Sequence, residues 1–355
     1  MSIGSPPKSL LVVRLGAMGD VIHTIPAAAA LRNAFPEIRI GWIIEQRWAE
    51  LLCAKEAPRS GPRNSARPLT DFVHVVDTKA WRKSLLSGGT RQQMAMARRE
   101  VREQNYDIAI DFQGALKSAI IAKLAEAKTV VGMKSPREWP SRMFYTKATG
   151  ANGTHVIDQY HSLAEATVGH SLPRCRAMFP QDSRNGSEAG NPAAQGGELV
   201  VINPGAGWGA KQWPAERYGA VAKALAKDGL TPLINFGPGE EELALAAENA
   251  SESTARRISS SIGELIALTR HARLFIGGDT GPLHLAAALQ VPVVAIFGPT
   301  DPTRNGPYAT RSIVLRASAS RTSLSHTHEP DPGLLSITTD EVIAAARQIL
   351  EAPPA

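Results

Sequence analysis

Residues Leu10 to Asp20 read LLVVRLGAMGD, and VIHTIPAAAALRNAF follows directly. The apolar, β-branched start reads as a buried strand. Gly16 and Gly19 let the chain turn sharply, and Asp20 sits where an N-cap or first-turn residue of the next helix belongs. Such a turn lies at the carboxyl end of a parallel strand, where open α/β sheets place ligands. A carboxylate there could take a proton from a hydroxyl. It could equally cap a helix, since Asp is a favoured N-cap residue. The local pattern leaves both roles open.

Three loops in the second half could hold an anion. Gly277 to Gly298 reads GGDTGPLHLAAALQVPVVAIFG, with PTDPTRNGPY after it. A strand would end at Gly277. Gly278, Thr280 and Gly281 would then turn into a helix with Pro282 near its first position, where a missing N–H costs nothing. The free N–H groups of that turn suit a phosphate, and His284 falls one turn in. The alternative is an ordinary turn with Asp279 as a cap and His284 in the core. Asn203 to Trp213, NPGAGWGAKQW, carries Lys211 as its one cation. A lysine near a helix start opposes the helix dipole. That favours a diphosphate ligand over a merely solvated Lys211. Phe236 to Glu242, FGPGEEE, places Glu240 or Glu241 where a carboxylate could accept hydrogen bonds from ribose hydroxyls, or simply occupy a first helical turn.

Together these loops describe a nucleoside-diphosphate site. A dinucleotide fingerprint is missing, which argues against a dehydrogenase of similar architecture. A G-x-x-x-x-G-K-[ST] loop is missing too, as are H-E-x-x-H and any Cys/His cluster that would suggest a metal. The first half supplies cations: KAWRK at 79–83, KSPREWPSR at 134–142, and Lys117 after DFQGAL. Each could be a solvated charge. Collectively they could recognise an acidic acceptor.

The elements that must position these residues follow from the alternation of strands and helices. A chain of 355 residues, 43% hydrophobic and 20% charged, suits a globular protein of two domains. Its formal charge of +6 favours anionic ligands, acidic acceptors or an anionic membrane face. Cys53 and Cys175 make no disulfide framework. No apolar run is long enough for a bilayer span, and MSIGSPPKS lacks a signal-peptide core. The expected location is therefore cytoplasmic, with any membrane contact peripheral. Two α/β halves are expected: residues 1–170 and 199–335, joined by a polar linker over 171–198. Residues 55–69 read as a surface loop. A helix over 336–355, capped by Thr339 or Asp340, could pack back across the cleft between the halves.

RLGAMGDVIHTIPA, AWRKSLLS, DIAIDFQGALKSA, SPREWPSRMFY, GGDTGPLHLAAAL and GPTDP together resemble the family 9 glycosyltransferases. Within that family, the Asp–His spacing of GDVIHT and the W-R-K segment favour the heptosyltransferase I group over the heptosyltransferase II group. The resemblance implies a GT-B fold, with two Rossmann-like domains facing across a cleft. It implies metal-independent, inverting transfer of a heptose from ADP-heptose to the Kdo sugar of lipopolysaccharide, with the anionic Kdo–lipid A as acceptor at the cytoplasmic face of the inner membrane. No cofactor and no nucleic acid are implied. Asp20 matches the family's base. Lys211, Asp279, Thr280, Gly281, His284 and Glu241 (or Glu240) match donor positions. Gly19, His23, Arg82, Lys83, Lys117 and Arg137 match acceptor positions. Ala206 and Gly207 stand where heptosyltransferase I often carries hydroxyl side chains. Another GT-B transferase with a different nucleotide sugar, or a non-catalytic nucleotide-sugar binder, are the competing expectations.

Overall fold

In the computed structural model, residues 7–181, 198–323 and 329–351 are described. The chain divides into two compact units, residues 1–181 and 182–355. No helix among the described residues is long and apolar enough to cross a membrane.

The first unit runs β1 (Ser9–Val13), α1 (Met18–Ala34), β2 (Arg39–Glu45), β3 (Phe72–Val76), α2 (Thr78–Lys83) and α3 (Gly88–Glu103). It continues through β4 (Ile108–Asp111), α4 (Leu116–Leu124), β5 (Thr129–Met133), β6 (Lys147–Thr149) and α5 (Val156–Val168). Its six strands are parallel in the order β3-β2-β1-β4-β5-β6. Every residue of β1 is buried. A parallel strand covered by helices on both faces needs such a continuous apolar run rather than alternation. The strand order reverses between β1 and β4, so the crevice for a ligand opens at their carboxyl ends.

The second unit repeats the plan. Its elements are β7 (Glu198–Asn203), α6 (Ala215–Lys227), β8 (Leu230–Phe236), α7 (Glu241–Ala250), β9 (Arg256–Ser259), α8 (Ile262–Arg270) and β10 (Leu274–Gly278). Then come α9 (Gly281–Ala288), β11 (Val293–Phe297), α10 (Pro302–Asn305), β12 (Ser312–Arg316), α11 (Pro332–Ser336) and α12 (Thr339–Glu351). The parallel order is β12-β11-β10-β7-β8-β9, with its reversal between β7 and β10. Helices α6 and α7 approach closely at Gly219, where a Cβ would fall 2.2 Å from the Ala247 carbonyl.

Several expectations are corrected. The helix after the opening turn starts at Met18, with Ala17 at the N-cap, so of the two positions open to Asp20 the structure gives the first turn. The 55–69 loop is not all surface. Arg67 is 1% exposed and ties the loop together, its guanidinium donating to the carbonyls of Pro58, Gly61, Pro62 and Thr70. Residues 171–181, read as the start of a linker, are irregular but fastened to the first unit. Leu172 and Phe179 are buried, and His161 Nε2 meets the Leu172 carbonyl at 3.1 Å. Residues 182–197 of that linker lie outside the described residues. The cap of α12 is Thr338, one residue before the expected ones: its Oγ1 accepts from Glu341 N at 3.2 Å, and Glu341 Oε2 accepts from Thr338 N at 2.7 Å. The apolar face of α12, with Val342, Ala345, Ala346 and Ile349, is buried in the second unit's own core.

Candidate active site

In the first unit, the chain leaves β1 through Arg14 and re-enters helix at Met18. Asp20 is clamped on both oxygens. Oδ1 pairs with Arg14 Nη2 at 2.7 Å, and Oδ2 accepts from Ala17 N at 3.2 Å. The carboxylate is nevertheless 39% exposed, while Arg14 is 4% exposed. Arg14 Nη1 donates to the Phe112 carbonyl at 2.7 Å, and its guanidinium lies 5.3 Å from the centre of the Tyr160 ring. Burial works against the Arg14 charge, but Tyr160, Asp20 and Asp111 outweigh it and hold the group more firmly cationic than usual. Asp20 is thus a fixed, solvent-reachable carboxylate with a buried cation behind it. Arg14 escaped sequence reasoning. Its only signal was a charged residue closing an otherwise apolar strand.

The first unit's cations fall into two kinds. Lys117 Nζ donates to Thr78 Oγ1 at 2.8 Å and pairs with Glu45 Oε1 at 3.3 Å, which joins the start of α4 to the start of α2. Arg82 and Lys83, in the last turn of α2, are exposed, as is Arg137 in the loop after β5. Gly114 runs against that loop: its φ of +66° is left-handed, and a Cβ there would come 3.0 Å from Arg137 N. Gly19 is half-buried beside Asp20. His23 does not share the exposed surface. It is 5% exposed and packs edge-on against His155, with ring centres 5.7 Å apart.

In the second unit the three predicted loops converge at the carboxyl ends of β7, β8 and β10. Lys211 Nζ touches Asp279 Oδ2 at 2.5 Å, and His284 Nε2 meets Asp279 Oδ1 at 3.0 Å. Asp279 is therefore not the cap of α9; Thr280 holds that position. Burial would raise the Asp279 carboxyl, but His284 and Lys211 prevail and hold it well below the ordinary carboxylate range. Lys211 is 16% exposed and lies 4.7 Å from the centre of the Trp208 ring, so the solvated-lysine alternative fails. Pro282 has no N–H, which leaves the amides of Gly281 and Leu283 as the donors in the first turn of α9. Half-buried Gly281 opens this turn to a ligand, and the helix dipole adds positive potential.

The two glutamates separate. Glu240 Oε2 accepts from Gly237 N at 2.9 Å, and the carboxylate lies over Gly205, where a Cβ would fall 2.1 Å from Oε1. It bridges the loops after β7 and β8, and only a glycine at 205 leaves room for it. Glu241 is exposed and accepts from Gly239 N at 3.2 Å. Among the described residues, no group of three His, Cys, Asp or Glu is placed to hold a metal ion.

The model of glycosyltransferase family 9 (heptosyltransferase) matches residues 94–331, spanning parts of both units. The chain belongs to glycosyltransferase family 9. It is accordingly a glycosyltransferase. Lipopolysaccharide heptosyltransferase 1 of Pseudomonas aeruginosa is 29% identical over 314 residues, covering 86% of this chain and 83% of that protein. Its namesake in Escherichia coli K12 is 27% identical over 312 residues, covering 87% and 93%. The structure of E. coli heptosyltransferase WaaC with ADP-2-deoxy-2-fluoro heptose superposes with a TM-score of 0.76 at 25% identity, covering 96% of this chain and 99% of that one. E. coli ADP-heptose lps heptosyltransferase II, at 20% identity and a TM-score of 0.72, shares the fold. These relatives identify the two Rossmann-like units as a GT-B pair within family 9.

Proposed function

We propose that this family 9 enzyme transfers a heptose from ADP-heptose to the Kdo sugar of the lipopolysaccharide inner core, with inversion at the anomeric carbon. The observation that carries the reading is the full-length likeness to the E. coli enzyme crystallised with an ADP-heptose analogue. In this reading Asp20 takes the proton from the acceptor hydroxyl as that oxygen attacks the anomeric carbon. The clamp of Arg14 and Ala17 N fixes the direction of its lone pairs, so little reorganisation is needed at the moment of transfer.

The departing ADP carries the negative charge. Lys211 and the Gly281 and Leu283 amides offset it, so the protein itself supplies the positive potential that a metal would otherwise bring. Asp279 and His284 hold the lysine ready without a ligand, and Thr280 caps α9 at the same turn. Glu240 is the better candidate for the ribose, because its carboxylate sits between two of the three loops; Glu241 is exposed and bonded to Gly239 N within its own loop. Lys117, Arg82, Lys83 and Arg137 are assigned to the anionic Kdo–lipid A, which sets the enzyme at the cytoplasmic face of the inner membrane as a peripheral protein. Gly19 is assigned to the same acceptor side. The role of His23 is then indirect, through the packing of α1 on α5.

The donor assignment is tested by thermal unfolding with ADP, UDP and GDP. ADP alone should raise the melting temperature, by an amount that grows with ligand concentration. Lys211→Ala should weaken ADP binding about tenfold or more. Stronger stabilisation by UDP or GDP would point to a different sugar nucleotide, and equal stabilisation by all three would remove the support for an adenine donor. Unchanged ADP affinity in Lys211→Ala would remove that residue from the site.

A further inference from the structure

We propose that the face formed by α4 and the turn Trp139–Phe144 seats the enzyme on an anionic lipid bilayer. The inference deepens the acceptor reading above by naming the surface through which the enzyme meets the membrane. The binding it describes needs no transfer chemistry.

Helix α4 reads LKSAIIAKL. Ser118, Ala119 and Ala122 are buried against the sheet. Leu116, Ile120 and Leu124 lie on another stripe at i, i+4 and i+8, and each is more than a third exposed. The turn Trp139–Phe144 packs beside this helix. Glu138 Oε2 accepts from Leu116 N at 2.8 Å, Glu138 N donates to the Gly114 carbonyl at 2.9 Å, and Ser141 Oγ donates to the same carbonyl at 3.1 Å. Trp139 and Met143, one turn apart on this anchored segment, are 71% and 70% exposed. An exposed tryptophan on a turn tied down by hydrogen bonds is not a fraying side chain. Large apolar side chains left exposed on two packed elements mark a docking site.

Charge decides the occupant. Lys123 is exposed at the end of α4, and Lys134, Arg137 and Arg142 are exposed around the turn. The segments 116–124 and 134–144 contain one acid, Glu138, whose carboxylate is engaged by Leu116 N. A rim of cations around an amphipathic tryptophan and aliphatic side chains fits the headgroup level of an anionic membrane. A second copy of this chain, with its own net charge of +6, would bring like charges to the same rim.

The experiment is co-sedimentation of the full chain with phosphatidylcholine–phosphatidylglycerol vesicles and with pure phosphatidylcholine vesicles. The enzyme should pellet with the anionic vesicles, less so as salt rises. The Trp139→Ser, Met143→Ser double variant should lower the partition about tenfold. Lys123→Gln with Arg142→Gln should flatten the salt dependence. Each variant should keep the wild-type thermal shift with ADP, which shows that it is folded. A wild type that stays in the supernatant, or a double variant that pellets as well as wild type, overturns the proposal. So does sedimentation velocity without lipid showing a wild-type dimer that the double variant dissociates, because the face would then belong to a second copy. A chain that binds vesicles through this face but transfers no heptose would sink the functional reading and leave this one standing.

Discussion

Asp20 gains its geometry from a buried residue. Arg14 holds one carboxylate oxygen while its other nitrogen is anchored on the Phe112 carbonyl, so the acid is tied to the loop after β4 as well as to its own helix. Arg14→Lys keeps the charge but cannot make both contacts at once. It should lower kcat about tenfold or more while leaving the KM for the nucleotide sugar and the ADP affinity unchanged. A parallel loss of ADP binding would mean that Arg14 supports the fold in general and not the carboxylate.

The Asp279 carboxyl makes a pH-dependent contribution. Against the opposing effect of burial, His284 and Lys211 hold its folded value below that of the unfolded chain. Stability from this group is therefore complete above the unfolded value of about 4 and is lost as pH falls towards the folded one. Asp279→Asn, which leaves Lys211 buried without its acid, should cost about 3 kcal/mol at neutral pH. The gap to wild type should narrow by about 1 kcal/mol between about pH 6 and about pH 3 in urea unfolding. A gap independent of pH over that range would contradict the assignment.

Among the elements, the buried parallel strands were the easiest to read. LLVV in β1 and VVAIF in β11 are unbroken apolar runs, and only a doubly covered strand asks for that. Strands β6, β9 and β12 were missed. KAT and RRIS are short, half-polar edge strands, and nothing in their local pattern separates them from loop. The anion-holding turn after β10 was legible because Gly and Pro mark it. The Lys211–Asp279 contact was not, since it joins separate loops that only the β7–β10 pairing brings together. The choice between Glu240 and Glu241 likewise needed the position of Gly205. At the C-terminal end, the reciprocal bonds of Thr338 and Glu341 set where α12 begins. Thr338→Ala should lower unfolding free energy by about 1 kcal/mol, with transfer activity unaffected below the melting range. An unchanged denaturation midpoint would show that burial of Val342 and Ile349 alone holds the helix.

For the whole molecule, two parallel sheets share one strand order, and in the proposed reading they divide the labour of one reaction. One unit carries the fixed, partly exposed carboxylate of Asp20. The other carries a lysine and helix amides suited to diphosphate. Family membership and the shared fold make the chain a glycosyltransferase; the roles of individual residues rest on the geometry of each unit. The most direct test is transfer of heptose from ADP-heptose to Kdo–lipid A, followed as ADP release in the presence of EDTA, for wild type and Asp20→Asn side by side. The account predicts turnover by wild type and a fall of about 10²–10⁴-fold in kcat for the variant, with ADP binding retained. No turnover by wild type in EDTA that added divalent metal restores, or full activity in Asp20→Asn, would contradict it.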